Sequence, residues 1–346
     1  EYAMTTSHHA DQFIIIGAGL AGLLTAYHLL ALAKQHQRHI TVTVLANDIN
    51  VPCGAGSHII NEIDGFYASD TIPSQRLIQE LRNGLQEMVA LIEGKKIKCR
   101  LHLSYEIKCQ NKDELNALIS SAIDKKIFSS DELIDNSNDQ FIYLANHHHS
   151  YHLKNAGQIN APEFLESLQT MIRSLGGNIM LGVQYDRHIK NNEDVYEIST
   201  NKGVFYTVNT PIIATGAEHQ QIFIGNICGT KIIYTMCCVF QLPKSISKMP
   251  IAFCDTNLHD DVLWGSVDEQ NFLTIGCGAE TDKNAKERVQ EKIQTIVREL
   301  FPDINMGNPV SVHWGATLHA PNMLPIVKRF PNYDIMGAWA GVGIVP

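Results

Sequence analysis

Three glycines near the start of the chain have the spacing of a phosphate-binding turn. The pattern G-x-G-x-x-G runs through Gly17, Ala18, Gly19, Leu20, Ala21 and Gly22. In this pattern the first glycine permits a tight turn, the second lets the backbone approach a pyrophosphate, and the third lets a helix pack against a strand. The N–H groups and the positive dipole end of the following helix also favour phosphate. The spacing therefore predicts a dinucleotide-binding site.

The residues around this turn decide between that site and a membrane span. Residues 13–33 carry no charge, which makes a span the alternative. A β-branched run at 13–16 precedes the turn, helical spacing follows it, and a second β-branched run lies within 39–48. Strand, turn, helix and strand within about 30 residues is the order that the dinucleotide motif requires. We therefore favour the dinucleotide site.

The end of the second predicted strand lacks the acidic residue that usually binds a ribose hydroxyl in this motif. Ala46 occupies the natural position, and Asn47 and Asp48 follow it. Asp48 can serve the ribose or simply form a turn. All three positions are candidate cofactor contacts.

Composition argues against several partners. The formal net charge is −9, the isoelectric point is about 6.0, and no basic tract exceeds Lys95–Lys96, so we predict no nucleic-acid partner. The eight cysteines form no C-x-x-C pair, which indicates reduced thiols. Adjacent Cys237 and Cys238 are predicted to pack in a strand. No basic region precedes the first apolar run, so we predict a cytoplasmic protein without a signal peptide.

Periodicity along the chain indicates an α/β fold. Amphipathic helices are predicted at 74–94 and 285–302, and further helices are predicted at 112–125 and after Asn160. Continuous strands are predicted at 178–190 and 203–217, and an acidic solvated loop at 129–137. Helix-flanked strands alternate with blocks of short strands, which favours a doubly wound domain and an inserted sheet-rich domain.

The segment HHHSYH at 147–152 raises the question of a metal site. Along a strand His147 and His149 would share one face. No acidic residue or cysteine lies close in sequence, so we favour a solvated loop and predict no metal.

Four separated segments together resemble one enzyme family. They are IIIGAGLAGLLTAYHL, NAGQINAPEFLESLQ, TPIIATGA and MLPIVKRFPNYDIMGAWAGVGIVP. In this order they resemble the FAD-dependent oxidoreductases of the D-amino-acid oxidase, glycine oxidase and sarcosine oxidase family, over nearly the whole chain. The resemblance implies a discontinuous, Rossmann-type FAD-binding domain at 10–70, 155–220 and 315–346. It implies a substrate domain at 71–154 and 221–314.

The resemblance also implies which residues contact FAD. The glycines of the first turn would hold the pyrophosphate, and the segment around Val183 and Tyr185 would meet the adenine. The remaining implied contacts, near the phosphates or the flavin, are Gly56, Ser57, Ala214, Thr215, Gly216, Gly341, Val342, Gly343, Ile344 and Val345.

Two departures from the family pattern bear on the substrate. Members that act on amino acids commonly carry an arginine, which binds a carboxylate, where this chain has Thr317, and Asn322 replaces an aspartate. Threonine cannot neutralise a carboxylate, so a simple amino acid is disfavoured unless another cation compensates. Arg187, Lys328, Arg329 and the histidines are the candidates for that role. The residues predicted near the reacting atoms are His58, Thr317, His319 and Trp339.

Three functions are compatible with these observations. The favoured one is oxidation of a C–N bond in a small amine or amino-acid-like substrate, by hydride transfer to flavin N5, with oxygen or another acceptor. Flavin chemistry needs few side chains, so the lack of a nucleophile motif is no objection. A flavin-binding interaction protein without turnover is the second, because Thr317 replaces the arginine and the pattern ends at Pro346. An NAD(P)-binding dehydrogenase is the third.

Overall fold

Five helices and nineteen strands make up the regular structure of the described residues. The computed structural model of the 346-residue chain describes residues 11–48, 59–60, 75–109, 111–127, 129–135, 149–217, 229–243, 246–248, 250–255, 263–319, 326–329 and 331–337. The helices are α1 (Leu20–Gln35), α2 (Gln75–Lys95), α3 (Lys112–Asp124), α4 (Ala161–Ser174) and α5 (Lys286–Leu300). The strands are β1 (Gln12–Ile16), β2 (Thr41–Ala46), β3 (Ile59–Ile60), β4 (Tyr105–Cys109), β5 (Leu133–Asp135), β6 (His149–Leu153), β7 (Gly157–Gln158), β8 (Asn178–Leu181), β9 (Tyr185–Lys190), β10 (Tyr196–Thr200), β11 (Gly203–Thr207), β12 (Ile212–Ile213), β13 (Lys231–Gln241), β14 (Ile251–Asp255), β15 (Leu263–Val267), β16 (Phe272–Glu280), β17 (Ser311–His319), β18 (Ile326–Arg329) and β19 (Asp334–Gly337).

A largely parallel sheet contains the glycine-rich segment. Its strand order is β18-β19-β12-β1-β2-β8, and only β18 runs antiparallel to its neighbour. β1 lies in the middle of this sheet, where Ile15 pairs with Val44 on one side and Ile212 on the other. The β-branched runs of β1 and β2 suit such a buried position. The α/β class predicted from the sequence is confirmed.

Helix α1 connects β1 to β2 and is buried on several sides. Seven of its sixteen residues are buried, including Leu23, Ala26 and Leu30. At 1.5 Å per residue such a helix spans about 24 Å, which is short for a bilayer core of about 30 Å. Among the described residues no helix is both long and apolar enough to cross a membrane. The alternative of a membrane span at 13–33 is therefore wrong, because this stretch divides into a strand, a turn and a helix.

A three-stranded antiparallel sheet, in the order β11-β10-β9, lies between β8 and β12 in the chain. One of its faces carries a cluster of rings around His188. The Tyr185 hydroxyl lies 2.8 Å from His188 Nδ1, and the rings of Tyr196 and Tyr333 lie 6.4 and 5.6 Å from the imidazole. Burial lowers the pKa of His188 and raises the pKa of Tyr185 to about 12. Both groups are therefore neutral at neutral pH.

Acidification is expected to destabilise the chain because His188 remains neutral in the folded state. An unfolded histidine titrates near about 6.5, so the unfolded chain binds the proton first as the pH falls. The stabilisation is present above that pH and is lost as the pH falls through the lower pKa of folded His188. Urea unfolding at pH 7 and pH 5 measures the effect. The variant His188→Phe should lose less of its free energy of unfolding between these pH values.

The matched control for this experiment is His39→Phe, because His39 is exposed. It should keep the pH dependence of the wild-type chain. A wild-type dependence in His188→Phe would show that His188 does not contribute to the acid sensitivity.

A mixed eight-stranded sheet holds the second large core. Its order is β17-β13-β16-β15-β14-β4-β6-β5. Alternate residues of β13, β14, β15 and β16 pack on one face with the apolar side of α5, where Val289, Ile293 and Val297 are buried. Trp314 and Val312 of β17 pack against the same core cluster. The predicted amphipathic helix at 285–302 is thereby confirmed as α5.

The chain divides into two compact units. One comprises Glu1–Pro52, Pro162–Lys231 and Leu318–Ala340, and the other comprises Cys53–Ala161, Ile232–Thr317 and Gly341–Pro346. The first contains the parallel sheet and the second contains most of the eight-stranded sheet. The predicted division into a FAD domain at 10–70, 155–220 and 315–346 and a substrate domain concerns ligand binding, and it stays a prediction.

Two segments predicted as continuous strands are broken. Residues 178–190 form β8 and β9, separated by Gly182 with φ +68°. Residues 203–217 form β11 and β12, and at the end of β11 Thr207 Oγ1 donates to the Gln12 carbonyl oxygen at 2.7 Å. The predictions of single strands were wrong because a left-handed glycine and a side-chain contact redirect the chain at these points.

The acidic segment 129–137 is not simply a solvated loop. Residues Leu133–Asp135 form β5 at the edge of the eight-stranded sheet. Glu132 Oε2 accepts hydrogen bonds from Arg82 Nη2 at 2.8 Å and from the Ser129 amide at 2.7 Å. The ion pair joins residues 50 positions apart and orders this segment. The local polarity of the sequence could not indicate such a distant partner.

The histidine-rich segment also differs from its prediction. His149–Leu153 forms β6, which pairs with β4 and places His152 opposite Glu106. A solvated loop is therefore wrong for this part, because Ser150 is 4% exposed and lies within the sheet. His147 lies outside the described residues. No group of three metal-ligating side chains occurs within the part of the chain that the structure describes.

Cys237 and Cys238 pack in β13 as predicted. Burial raises the pKa of Cys238 to about 11 and raises that of Cys237 further. Both thiols therefore stay protonated and unreactive at neutral pH.

Candidate functional site

Four strands of the parallel sheet bring most of the predicted cofactor residues to one edge. Gly17 follows β1, Asn47 follows β2, Val183 lies just past β8, and Ala214 follows β12. These strands run parallel, so their carboxyl ends lie at the same edge of the sheet. In open α/β sheets, ligands bind at that edge.

The first and third glycines of the motif permit a close approach of three backbone segments. A Cβ atom at Gly17 would overlap the Ala214 carbonyl oxygen and lie 3.1 Å from the Thr215 nitrogen. A Cβ atom at Gly22 would overlap the Gly17 carbonyl oxygen and lie 3.5 Å from the Ala214 Cβ. Gly17 also has φ +116°, a conformation that favours glycine. Both positions therefore require glycine, for reasons of space.

Helix α1 begins directly at this edge. Gly19 is its N-cap residue, makes no side-chain capping bond, and is followed by no acidic residue in the first turn. Its carbonyl oxygen accepts from the Leu23 amide at 2.9 Å, so the helix is regular from its start. The first amides of an α-helix have no partner inside the helix. Together with the helix dipole, they form an environment that favours a phosphate group.

The second strand and β8 are joined by backbone hydrogen bonds at the same edge. The Val183 amide donates to the Ala46 carbonyl oxygen, and the Gly182 amide donates to that of Asn47, both at 3.0 Å. The Ala46 methyl group is buried, whereas Asn47 and Asp48 are exposed. Tyr185 begins β9, and its hydroxyl contacts His188. The structure therefore brings Ala46 and Val183 together, and the contacts predicted for them stay predictions.

Thr215 contributes a buried polar atom to this edge. Its Oγ1 is buried and has no hydrogen-bond partner among the described residues. The neighbouring Ala214 amide donates to the Ile16 carbonyl oxygen at 2.8 Å, which fixes the turn beside Gly17. Gly216 has φ +84°, so the chain turns sharply after Thr215. A buried hydroxyl without a partner costs free energy, and a bound ligand would relieve that cost.

Replacing Thr215 with valine tests whether this hydroxyl serves a ligand. Thr215→Val keeps the shape and removes only an unpartnered group, so the ligand-free chain should be as stable as wild type or slightly more stable. Dinucleotide affinity should fall about 3- to 10-fold, since one hydrogen bond contributes about 0.5–1.5 kcal/mol. Urea unfolding and a fluorescence titration measure the two effects.

Thr207→Val is the matched control. The Thr207 hydroxyl is buried and bonds to both the Gln12 carbonyl oxygen and the Asn209 amide. This variant should lose stability, whereas Thr215→Val should not. Equal destabilisation by both would show that the Thr215 hydroxyl has a structural role.

Two of the residues predicted near the reacting atoms lie on β17. The Thr317 hydroxyl donates to the Ile233 carbonyl oxygen at 3.2 Å. His319 is partly buried, and burial lowers its pKa, so its imidazole is neutral at neutral pH. A neutral imidazole can accept a proton. The catalytic roles of both residues stay predictions.

Of the cations that could replace the missing arginine, one is engaged elsewhere. Arg329 Nε and Nη2 donate to the two Asp334 carboxylate oxygens at 3.0 and 3.1 Å. Arg187 is exposed on β9. Neither observation favours these residues as carboxylate partners, and the Lys328 side chain lies outside the described set.

Several predicted site residues cannot be placed. They lie outside the described residues and are His58, Gly56, Ser57, Trp339, Gly341, Val342, Gly343, Ile344 and Val345.

Sequence reasoning missed one turn at this edge and one buried ion pair in the eight-stranded sheet. Gly182 turns the chain beside Asn47, and a glycine inside a predicted strand was a signal for that turn. The other is the buried pair of Glu106 and Lys108 in β4, for which YEIKC gave no signal because alternating polar residues are typical of half-exposed strands.

Comparison with models of protein families shows the family to which this chain belongs. The model of the DAO family, described as FAD dependent oxidoreductase, matches residues 12–345. The chain is a member of this family. FAD is accordingly the dinucleotide of this oxidoreductase, and the NAD(P) alternative is wrong.

Solved structures of similar fold agree with this membership. Glycine oxidase from Geobacillus kaustophilus is 16% identical with a TM-score of 0.70, and the match covers 97% of this chain and 91% of that one. Iminodiacetate oxidase from Chelativorans sp. BNC1 is 15% identical with a TM-score of 0.73, covering 95% and 91%. L-α-Glycerophosphate oxidase from Mycoplasma pneumoniae, solved with FAD bound, is 15% identical with a TM-score of 0.73, covering 96% and 91%. No curated protein sequence matches significantly.

The described residues of the oxidoreductase fit FAD. The backbone space at Gly17 and Gly22, the uncapped start of α1 and the buried Thr215 hydroxyl meet at one edge of the parallel sheet. Backbone amides and a hydroxyl suit a pyrophosphate, which carries only acceptor oxygens.

Proposed function

We propose that this oxidoreductase oxidises a C–N bond of an amine or amino-acid-like substrate. The family membership supports redox chemistry on a small molecule. Among the similar structures, glycine oxidase and iminodiacetate oxidase are named for amines that carry carboxylates. Gly17, Gly22 and Thr215 would hold FAD, which would supply a two-electron hydride acceptor when bound.

The reaction balances without a protein nucleophile. The carbon next to nitrogen loses a hydride and the nitrogen loses a proton, so an imine forms. Water then hydrolyses the imine to a carbonyl compound and an amine. The two electrons pass on to oxygen or to another acceptor. The protein therefore has to bind and orient the substrate, accept one proton and exclude competing water.

The neutral histidine on β17 fits the proton-accepting role. Burial lowers the pKa of His319, so its imidazole is unprotonated at neutral pH. An amine must lose its proton before its carbon can release a hydride. We assign His319 as the acceptor of that proton, and Thr317 as a hydrogen-bond partner of the substrate.

The observation that carries the proposal is the arrangement at Gly17, Gly22 and Thr215 within a member of this family. Its test is anaerobic titration of the FAD-loaded protein with primary and secondary amines. We expect at least one amine to bleach the flavin absorption band.

One alternative substrate class belongs in the same panel. L-α-Glycerophosphate oxidase is among the similar structures, and its name denotes an alcohol substrate. Bleaching by glycerol 3-phosphate and by no amine would contradict C–N oxidation while preserving the redox function. Bleaching by dithionite alone would favour a flavin-binding protein without turnover.

A further inference from the structure

The turn between β18 and β19 contacts the three-stranded sheet through the His188 side chain and its neighbours. His188 donates a hydrogen bond to the Asn332 carbonyl oxygen. The Tyr196 hydroxyl donates to the Pro331 carbonyl oxygen at 3.4 Å. The Tyr333 ring meets the imidazole edge to face, with ring centroids 5.6 Å apart. All of these residues belong to the same compact unit, and we call the antiparallel pair β18 and β19 the hairpin.

The hydrogen bonds of His188 suit a neutral imidazole. A carbonyl oxygen can only accept, so the ring nitrogen that faces Asn332 carries a hydrogen. In the neutral ring the other nitrogen is an acceptor, and the Tyr185 hydroxyl lies 2.8 Å from Nδ1 as its donor. A second proton would turn Nδ1 into a donor, so the Tyr185 hydrogen would have to point elsewhere. It would also place a cation among partly buried rings, which costs free energy.

The titratable groups around His188 come from β9, β10 and the hairpin. They are Tyr185, Asp186 and Lys190 on β9, Tyr196 on β10, and Tyr333 on the hairpin. Lys190 forms an ion pair with Asp194 at 2.8 Å, and Arg329 forms one with Asp334 inside the hairpin. Histidine is the side-chain type that titrates between pH 5 and pH 8. His188 is therefore the member of this set that can respond to mild acid.

The hairpin lies at the periphery of the parallel sheet. β18 is the last strand of the described sheet on that side, and β19 is its neighbour. β19 is joined to β12 through the residue pairs Ile212–Asp334 and Ile213–Ile335. With so short a ladder, the contacts of the turn with His188 and Tyr196 form a substantial part of its attachment. Ile213 directly precedes Ala214, which approaches Gly17 at the cofactor edge.

We propose that a proton on His188 releases the hairpin from the three-stranded sheet while the rest of the chain stays folded, and that the cofactor edge at Ala214 loosens as a result. Without β19, the strand β12 keeps β1 as its neighbour but loses its support on the other side. FAD therefore binds more weakly in mild acid. Because linkage is reciprocal, bound FAD in turn favours the attached hairpin.

Hydrogen exchange of the backbone amides at pH 7 and pH 5 tests the release. Protection factors, the ratio of intrinsic to observed exchange rates, remove the direct effect of pH on exchange. Protection of the β19 amides should fall several-fold, and at most by about 25-fold, the full effect of one histidine that titrates near about 6.5 once released. Protection of β1, in the middle of the same sheet, should change less than about 2-fold if the sheet stays folded.

Two variants remove the titrating group in different ways. His188→Phe keeps a ring against Tyr333, and His188→Gln keeps a neutral donor and acceptor. In either variant that folds, protection of β19 should be nearly independent of pH between 5 and 7. His39→Phe, at an exposed position, is the control and should behave like the wild-type chain.

The affinity for FAD, measured by fluorescence titration at both pH values, tests the second half of the proposal. It should fall more between pH 7 and pH 5 in the wild-type chain than in His188→Phe or His188→Gln, and added FAD should restore protection of β19 at pH 5. A wild-type loss of β19 protection in both His188 variants, or an equal loss in β1 and β19, would overturn the release. An equal fall of FAD affinity in all the chains would overturn its coupling to the cofactor edge.

Discussion

Replacing Gly17 with alanine is expected to abolish FAD binding. The added methyl group would overlap the Ala214 carbonyl oxygen, and the backbone at φ +116° is strained for any other residue. Backbone strain of about 1–3 kcal/mol adds to an overpacking cost of about 1–3 kcal/mol, so stability should fall by about 2–6 kcal/mol. The loop can relieve the overlap only by moving away from β12, which also disrupts the start of α1 and Thr215. Affinity for FAD should then fall at least about 100-fold, equivalent to about 2.7 kcal/mol.

Gly203→Ala is the matched control for this experiment. Gly203 has φ +118°, almost the value of Gly17, but a Cβ atom there meets nothing within 4 Å. It should show the strain cost and bind FAD normally. Gly94→Ala in α2, also in open space, should be neutral or stabilising because alanine favours a helix.

Circular dichroism establishes whether Gly17→Ala is folded, and a fluorescence titration with FAD measures its affinity. If the folded variant bound FAD as tightly as wild type, the close approach of Gly17 to Ala214 would be irrelevant to the cofactor.

Replacing Lys108 with methionine is expected to cause a large loss of stability. Lys108 Nζ lies 2.9 Å from Glu106 Oε2, and the two side chains are 1% and 0% exposed. Asp255 lies beside Lys108 in the adjacent strand and is also buried. Removing the cation leaves buried carboxylates without their neutralising partner, which costs about 3–5 kcal/mol. The free energy of unfolding in urea measures this.

The double variant Glu106→Leu, Lys108→Met tests whether the lost stability comes from leaving one buried charge without its partner. Because both charges are removed together, we expect it to recover much of the stability lost by Lys108→Met. Lys190→Met is the control, since its ion pair with Asp194 is exposed and should contribute little. A change in Lys108→Met as small as that in Lys190→Met would contradict the buried pair.

The glycine-rich segment was predictable because its signals are local. Strand β1, the turn at Gly17 and helix α1 follow from β-branched and helical periodicity within 25 residues of chain. The same local information failed at 178–190 and 129–137. In the first, Gly182 adopts φ +68° to reach Asn47, and in the second, Arg82 pairs with Glu132 across 50 residues.

The residues of the candidate site could be predicted from the sequence, but the contacts that require those residues could not. Ala214 and Thr215 were identified through family resemblance, yet the contact of Gly17 with Ala214 joins positions nearly 200 residues apart. The buried pair of Glu106 and Lys108 was invisible in the sequence, since YEIKC reads as a half-exposed strand and both of its faces are buried. Register and burial, which decide these features, are properties of the folded sheet.

The rate of flavin bleaching with a deuterated amine tests the central claim most directly. FAD-loaded protein is mixed without oxygen with the best amine of the panel, carrying hydrogen or deuterium on the carbon next to nitrogen. If this bond breaks as the hydride leaves, the deuterated amine will bleach the flavin more slowly. Bleaching at the same rate at saturating amine, or no bleaching by any amine, would contradict the account.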